Sequence, residues 1–346
     1  MDVVSLGEML IDFVPDRRGS LDEVESFRKS PGGAPANVAV AVTRLGGKAA
    51  FLGKIGLDPF GRYLVEVLER EGVDTRGVVL TEEAKTGLAF VALDESGDRS
   101  FLFYRDPSAD MLLRECEINE EVLREGLVFH FGSVTQIHPE SRLATLMAAK
   151  RAREFGKIVS FDVNLRLHLW PGKEEALEQI QRSLPLCDIL KVSEEEMELL
   201  AGTDDLMKGA EALRAYGPRL VLITLGERGT YYQTADLTGR VPSFRVKPVD
   251  TTGAGDAFAG GFLLQMCDRM RGRSFDQVIG FEEELREVIR YANAVGAFTV
   301  TRHGAIPALP TKAEVFEFMY AGRGKINKNN PFPRPERKFN VYKEKG

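Results

Sequence analysis

Cysteine is scarce in this 346-residue chain: Cys116, Cys187 and Cys267 stand far apart, with no CxxC or Cys/His spacing. That excludes a disulfide framework, leaves a zinc site unsupported and points to a reducing compartment. Long apolar runs are missing too. No uncharged stretch approaches the ~20 residues of a membrane span, and the most suggestive segment is broken by Asp250, Asp256 and Asp268. An excess of positive charge is likewise absent. With 46 Lys and Arg against 52 Asp and Glu, the net charge is −6, so there is no electrostatic footprint for nucleic acid or an anionic membrane. The opening MDVVSLGEMLIDF carries acids where a secretory leader would be basic, and it has no small-residue cleavage site. A cytoplasmic location and small-molecule partners are expected, with no nucleic acid and no membrane. The 43% hydrophobic and 28% charged residues are ordinary for a soluble protein with a sizeable core, in one large domain or two smaller ones.

Short apolar runs alternate with helical patterns along most of the length. LVFHFGSV (127–134) reads as a buried strand before a helix from Pro139 to Phe155; KIVSFDVN (157–164) precedes a helix starting near Gly172. CDILKVS (187–193) precedes EEEMELLAG, and RLVLITLG (219–226) follows another helix. This alternation predicts an α/β fold with a largely parallel sheet, whose ligands bind beyond the carboxyl ends of the strands. Asn164, Arg166, Ser193, Glu196, Thr224 and Gly226 fall at those ends. Residues 9–31 and about 86–110 break the pattern, with strand-like MLIDFV, TGLAFVAL and SFLFYR and no long helix between paired runs. They predict a small separate sheet, such as a lid over a cleft. The tail at 322–346 is rich in Lys, Arg, Asn and Pro and reads as a surface-wrapping or flexible extension.

Residues 250–262 read DTTGAGDAFAGGF. Val246 to Thr251 is extended in character and Ala257 to Met266 helical, which sets GAGD at a strand-to-helix turn. Glycines there let the backbone approach a ligand, and the first N–H groups of the helix offer an anion site. The dinucleotide pattern G-x-G-x-x-G fails at Phe258, and the P-loop's Lys-Ser/Thr is missing. Asp256 in the first turn reads in isolation as an acid complementing the helix dipole, which would lower its pKa. The alternative is a base beside an anion hole, sufficient equipment for phosphoryl transfer. In PGGAPANVAVAVTRLGG (31–47), the Gly32–Gly33 backbone and the Asn37 amide read either as a packing turn or as contacts to sugar hydroxyls. Asp12 in GEMLIDFVP either protects a sheet edge or accepts hydrogen bonds from a polyol.

Together, GGAPAN and DTTGAGDAF resemble the two signatures of the PfkB (ribokinase-like) family of sugar kinases. The resemblance covers about residues 2–320. It includes GKIGLDPFGRYL, TGLAFVALDESGDRSFLFYR, KVSEEEME, TLGERGT and ANAVGAFTVTRHGAIPALP in family order. GEMLIDFVP, FYRDPSADMLL and DVNLRLHLW look most like the fructokinase members. The resemblance implies a single kinase domain over 1–320, a Rossmann-type three-layer α/β fold with a β lid, and a C-terminal extension at 321–346. It implies ATP-dependent phosphorylation of a sugar, fructose first, with 2-keto-3-deoxygluconate as the rival substrate and a non-catalytic sugar-binding scaffold as a remote one. By the same resemblance, Asp256 matches the base and Gly253, Ala254 and Gly255 the anion hole. Asp12, Gly32, Gly33 and Asn37 match sugar-binding positions, and Arg105 and Arg166 match basic positions near substrate. Ser193, Thr224, Gly226, Gly229, Gly255 and Asn293 match the ATP side. Glu196 holds the place of the family's NxxE acid, which organises Mg²⁺ through water, although Ser193 stands where the family has asparagine. Asp250 and Thr252 match a monovalent-cation (K⁺) site, and family analogy suggests a homodimer through lid edges.

Overall fold

The structure is a computed structural model describing residues 1–93 and 99–320. The extension at 321–346 and residues 94–98 of the second lid segment lie outside the described residues. The chain begins β1 (Val3–Leu6), β2 (Leu10–Pro15), β3 (Phe27–Gly32), β4 (Ala49–Gly56), β5 (Asp74–Thr81), β6 (Leu88–Leu93) and β7 (Arg99–Tyr104). It continues β8 (Val128–Gly132), β9 (Ile158–Asp162), β10 (Ile189–Ser193), β11 (Leu220–Thr224), β12 (Thr230–Gln233) and β13 (Thr238–Val241). Among the described residues nine strands form one sheet in the order β13-β12-β11-β10-β9-β8-β1-β4-β5. It is parallel from β5 to β11 and closes with the antiparallel hairpin β12–β13. The order β3-β2-β6-β7 makes the smaller sheet, antiparallel except for the β2–β6 pair.

The large sheet is buried on both faces, so its strands read as near-continuous apolar runs whose alternate side chains enter different cores. Val3, Phe51, Ile189 and Leu222 enter one core, with helices Ala34–Arg44, Ala254–Met270 and Glu282–Thr299. Val4, Leu52, Phe161, Leu190 and Ile223 enter the other, with helices Pro139–Glu154, Lys173–Ser183 and Leu206–Arg214. These are the three expected layers. In the first core a buried polar row crosses the sheet centre: Ser5 is paired in register with His130, His130 with Ser160, and Asp162 with Lys191. His130 Nδ1 lies 3.1 Å from Ser160 Oγ, and burial pushes its pKa down to about 4, so the ring is neutral. No helix of the described residues is long and apolar enough to cross a membrane.

Helix Ala254–Met270 is buried over most of its length and packs chiefly on helices Ala34–Arg44 and Glu282–Thr299. Consecutive glycines permit it. A Cβ on Gly260 would lie 2.5 Å from Ala41 Cβ, and one on Gly261 2.9 Å from Val295 Cγ2. The segment before this helix corrects the sequence expectation, because 246–251 is not a strand. Pro242 and Pro248 interrupt its donors, and the N–H groups of Val249 and Asp250 both turn to Val300 O, at 2.7 and 3.2 Å. GAGD therefore opens its helix from an anchored loop.

Alanine is favoured over glycine in a helix by ~1 kcal/mol, whereas overpacking a close contact costs ~1–3 kcal/mol. Gly260→Ala is expected to lower the melting temperature despite its better propensity, and Ala41→Gly in the same chain to recover part of the loss. An unchanged melting temperature in the single variant would show that the two helices are not locked in contact.

Candidate active site

The loop enters helix Ala254–Met270 through Gly253, whose φ of 74° suits glycine. A Cβ here would also meet Ala305 Cβ at 2.9 Å. The first full helical hydrogen bond runs from Ala257 N to Gly253 O (2.8 Å), and Ala254 N donates to Thr251 O at 3.3 Å. The N–H groups of Gly255 and Asp256 precede that ladder and have no carbonyl four residues back within the helix. A helix N-terminus of this kind attracts anions.

Asp256 is buried in the same turn, and Asn37 Nδ2 donates to its Oδ2 at 2.7 Å. Asn37 and Asp256 each lie one turn before the Ala41–Gly260 contact, so the close helix crossing is what permits this bond. Burial pushes the Asp256 pKa up to about 6; Asn37 and the charges of Lys191 and Arg166 pull it down, and Asp162 adds to the rise. The dipole expectation of a lowered value is thus overturned, because loss of water outweighs the helix terminus.

Beside the helix start lies a charged pair the sequence reading did not single out, Lys191 and Asp162, next to the expected Glu196. Buried Lys191 Nζ donates to both Asp162 oxygens at 2.9 and 2.8 Å. The same nitrogen is 3.3 Å from where a Cβ on Gly255 would sit, so that glycine leaves the ammonium room at the helix mouth. Glu196 Oε1 and Oε2 accept from Leu165 N (2.6 Å) and Ser193 N (2.7 Å), and burial raises its pKa. Ser193 Oγ in turn accepts from Glu196 N at 3.1 Å, completing a capping box on helix Glu194–Ala201. The serine thus caps the helix. Arg166 is exposed, donates to Leu165 O at 3.1 Å and acts on Asp256 through its charge. Asn164, between these groups, has φ 40°, a left-handed conformation that asparagine tolerates. The overlooked signal was a charge at the inward position of two neighbouring strands, Asp162 in SFD and Lys191 in LKV.

On the small sheet, the Asp12 carboxylate occupies the space a Cβ on Gly32 would need. Asp12 shares a cavity of about 260 Å³ with Ser30, Tyr63, Thr252, His303 and Pro307. Asp250 beneath it accepts from Thr252 N at 2.8 Å and Gly304 N at 2.9 Å, which ties the loop to the segment after helix Glu282–Thr299. A larger surface hollow of about 590 Å³ beside Arg114, Cys116 and Arg151 is remote from these groups. Its arginines are paired with Glu83, Glu140, Glu120 and Glu154.

Opposite, Thr224 Oγ1 donates to Val192 O at 3.2 Å, and Gly226 and Gly229 have φ of 57° and 98° in the turn before β12. Asn293 is buried and its bonds are internal: it accepts from Thr230 Oγ1 at 2.7 Å and donates to Val241 O and Pro242 O at 3.1 and 3.3 Å. Arg105 is also buried, paired with Asp110. Glycines 253 and 255, Ala254, Asn37, Asp256, Arg166 and Glu196 therefore come together; Asp12, Gly32 and Gly33 flank them from the small sheet's side; Arg105 and Asn293 are buried with internal partners. No cluster of three or more His, Cys, Asp or Glu residues able to hold a metal ion occurs among the described residues.

Known proteins resemble this chain over most of its length. The model of the pfkB family of carbohydrate kinases matches residues 1–312. A fructokinase-1 of Zea mays is 51% identical over 320 residues, 92% of this chain and 97% of that one. A crystal structure of the Xylella fastidiosa fructokinase with bound ATP superposes with a TM-score of 0.86 at 38% identity, covering 92% of this chain and 98% of that one. The Vibrio cholerae O395 fructokinase, with fructose, ADP and calcium ion bound, gives 0.82 at 36% identity over 92% and 98% of the two chains; a double mutant of it has been solved with potassium. The loop-opened helix with its buried acid, and the match over nearly the whole described chain, place this protein in the pfkB family of carbohydrate kinases.

Proposed function

We propose that this chain is an ATP-dependent fructokinase acting on the 6-hydroxyl of D-fructose. One observation carries the reading: a buried carboxylate, Asp256, held by Asn37 in the same helical turn as unpaired N–H groups. Asp256 accepts the proton of the 6-hydroxyl as that oxygen attacks the γ-phosphorus. The new O–P bond forms as the bond to the β–γ bridging oxygen breaks, and its electron pair leaves with ADP. The N–H groups of Gly255 and Asp256, at the mouth set by Gly253 and Ala254, stabilise the charge on the transferring group, with Lys191 adjacent. Asp12 and the Gly32–Gly33 turn orient the sugar with Asn37, and Arg166 stands at its edge. Ser193, Thr224, Gly226 and Gly229 shape the nucleotide side, and Asn293 holds its wall. Closure of the small sheet would exclude water and limit futile ATP hydrolysis.

The buried, partly committed carboxylate of Glu196 fits a hydrated Mg²⁺ reached through water, the usual mode for an ion that keeps several waters and binds substrate phosphates. When bound, Mg²⁺ supplies charge neutralisation on those phosphates. Asp250, both of whose oxygens order backbone N–H groups, fits the rim of a K⁺ site built mainly from backbone oxygens, with Thr252 beside it. Strand β7 is an edge of the small sheet, with Leu102 and Tyr104 exposed, and is our choice for contact with a second copy; a cytoplasmic location completes the proposal. Burial of Arg105 against Asp110 favours fructose over 2-keto-3-deoxygluconate, because that guanidinium is not presented to a sugar carboxylate.

Assayed as ADP release over a panel of sugars, fructose should give the highest kcat/KM; preference for 2-keto-3-deoxygluconate would overturn the assignment. Asp256→Asn should reduce kcat by at least ~100-fold, the lower range for a lost general base. The same variant should be more heat-stable at pH 7.5. The folded pKa lies above the ordinary carboxylate value of 3.8, so this group's stabilising contribution is full below that value and is lost as pH rises through about 6. The difference corresponds to about 3 kcal/mol. Comparable turnover in the two proteins would remove Asp256 as the base. The kcat/KM profile should fall on the acid side with a midpoint near pH 6, where the base protonates. Because the Asn37 hydrogen bond holds that value down, Asn37→Ala should move the midpoint upward; a downward move would contradict the bond's role.

A further inference from the structure

In the described residues the chain passes between the two sheets four times: at 7–9, at Gly33, at 82–87 and at 105–108. All four crossings meet one buried charged cluster. Glu8 lies in the first, and its Oε1 accepts from Ala34 N at 3.1 Å, just after the second. Gly87 ends the third, and a Cβ on it would lie 3.3 Å from Arg105 Cγ, Asp110 Oδ1 and Ser108 Oγ. Arg105 and Ser108 belong to the fourth; Arg105 pairs with Asp110, and Ser108 Oγ donates to Asp110 Oδ1 at 2.5 Å. Nothing in the proposed chemistry uses this cluster.

Two of its atoms are buried without a hydrogen-bond partner: Glu8 Oε2 and Arg105 Nε. One is an acceptor and the other a donor; burial pushes the Glu8 pKa up to about 7 against the pull of the Arg105 charge, and Glu8 adds a smaller pull to that of Asp110 on Arg105. A buried polar atom without a partner costs ~1–3 kcal/mol, so a complementary donor and acceptor left unpaired in one buried junction each gain from finding the other. Glu8 also holds the first N–H of the helix that carries Asn37, which links this junction to the base.

We propose that Glu8 and Arg105 are positioning residues for phosphoryl transfer: they bond directly, Arg105 Nε to Glu8 Oε2, when the small sheet closes over the sugar, and so lock Asn37 and Asp256 in the reactive arrangement. Arg105 then acts through the junction and not by touching the sugar. The proposal rests on the sugar-kinase reading.

The test compares Glu8→Gln, Arg105→Lys and the double variant, using whichever sugar the parent protein phosphorylates. If no panel sugar is turned over by the parent, the kinase reading fails before this one is tested. Glu8→Gln keeps an acceptor for Ala34 N–H, and Arg105→Lys keeps a cation beside Asp110 while removing Nε. Each single variant should lower kcat about tenfold, as expected for a lost junction contact. The dissociation constant for sugar alone should stay within about twofold, and the double variant should be no slower than the worse single one. Weaker sugar binding in Arg105→Lys with a silent Glu8→Gln would make Arg105 a sugar contact. Additive losses, or lower melting temperatures with parental kcat, would also overturn the proposal. Should Arg105→Lys fail to fold, Glu8→Gln decides alone, and parental kcat in it refutes the latch.

Discussion

The close crossing of helices Ala34–Arg44 and Ala254–Met270 is the constraint from which the rest of the site follows. Only a glycine at 260 lets Ala41 approach, and one turn earlier that approach brings Asn37 within 2.7 Å of Asp256. The crossing buries the acid, gives it an amide partner and leaves the N–H groups of its own turn directed away from the core. Base and anion site are thus built by one helix terminus and held by one packing contact. Val295 against Gly261 fixes the helix from its other side, so the terminus cannot rotate to relieve the burial of Asp256.

Burial also sets the electrostatics. Three carboxylates, Asp162, Glu196 and Asp256, surround a single buried ammonium, Lys191, with Arg166 exposed at the edge. Lys191 is committed to Asp162, and the pKa values of Glu196 and Asp256 are both raised chiefly by loss of water. Such a site is short of positive charge before any phosphate enters it. A polyphosphate would deepen the deficit unless cations came with it, which accords with a nucleotide that binds together with its metal ion.

The fold class was largely legible because buried parallel strands write themselves as short apolar runs between helical patterns. β8, β9, β10 and β11 lie where those runs predicted them, trimmed by one or two residues. The segment before GAGD misled because valines spaced around prolines look like a strand whether or not a partner strand exists. Asp256 was legible as a first-turn acid, but its raised pKa was not. Local sequence shows the helix dipole, whereas burial is set by the crossing with helix Ala34–Arg44, whose Asn37 is 219 positions away. Lys191 and Asp162 were hidden for a related reason: a charged residue within an apolar run acquires meaning only when register sets it beside its partner. The same limit applies to Glu8, whose neighbours Ala34, Arg105 and Asp110 meet only where the chain crosses between sheets.

Stability and chemistry pull against each other at Asp256. A fully hydrated carboxylate would cost nothing to ionise but would be a weak base and would share its site with water. A carboxylate buried without Asn37 would be a stronger base that stays protonated near neutrality. The observed arrangement, burial opposed by one hydrogen bond and the charges of Lys191 and Arg166, sets the group at about 6. It is ionised at neutral pH yet still basic enough to take a proton from a hydroxyl whose acidity rises as it attacks phosphorus. The fold therefore carries a destabilised carboxylate at a close helix crossing, where the surrounding packing bears it.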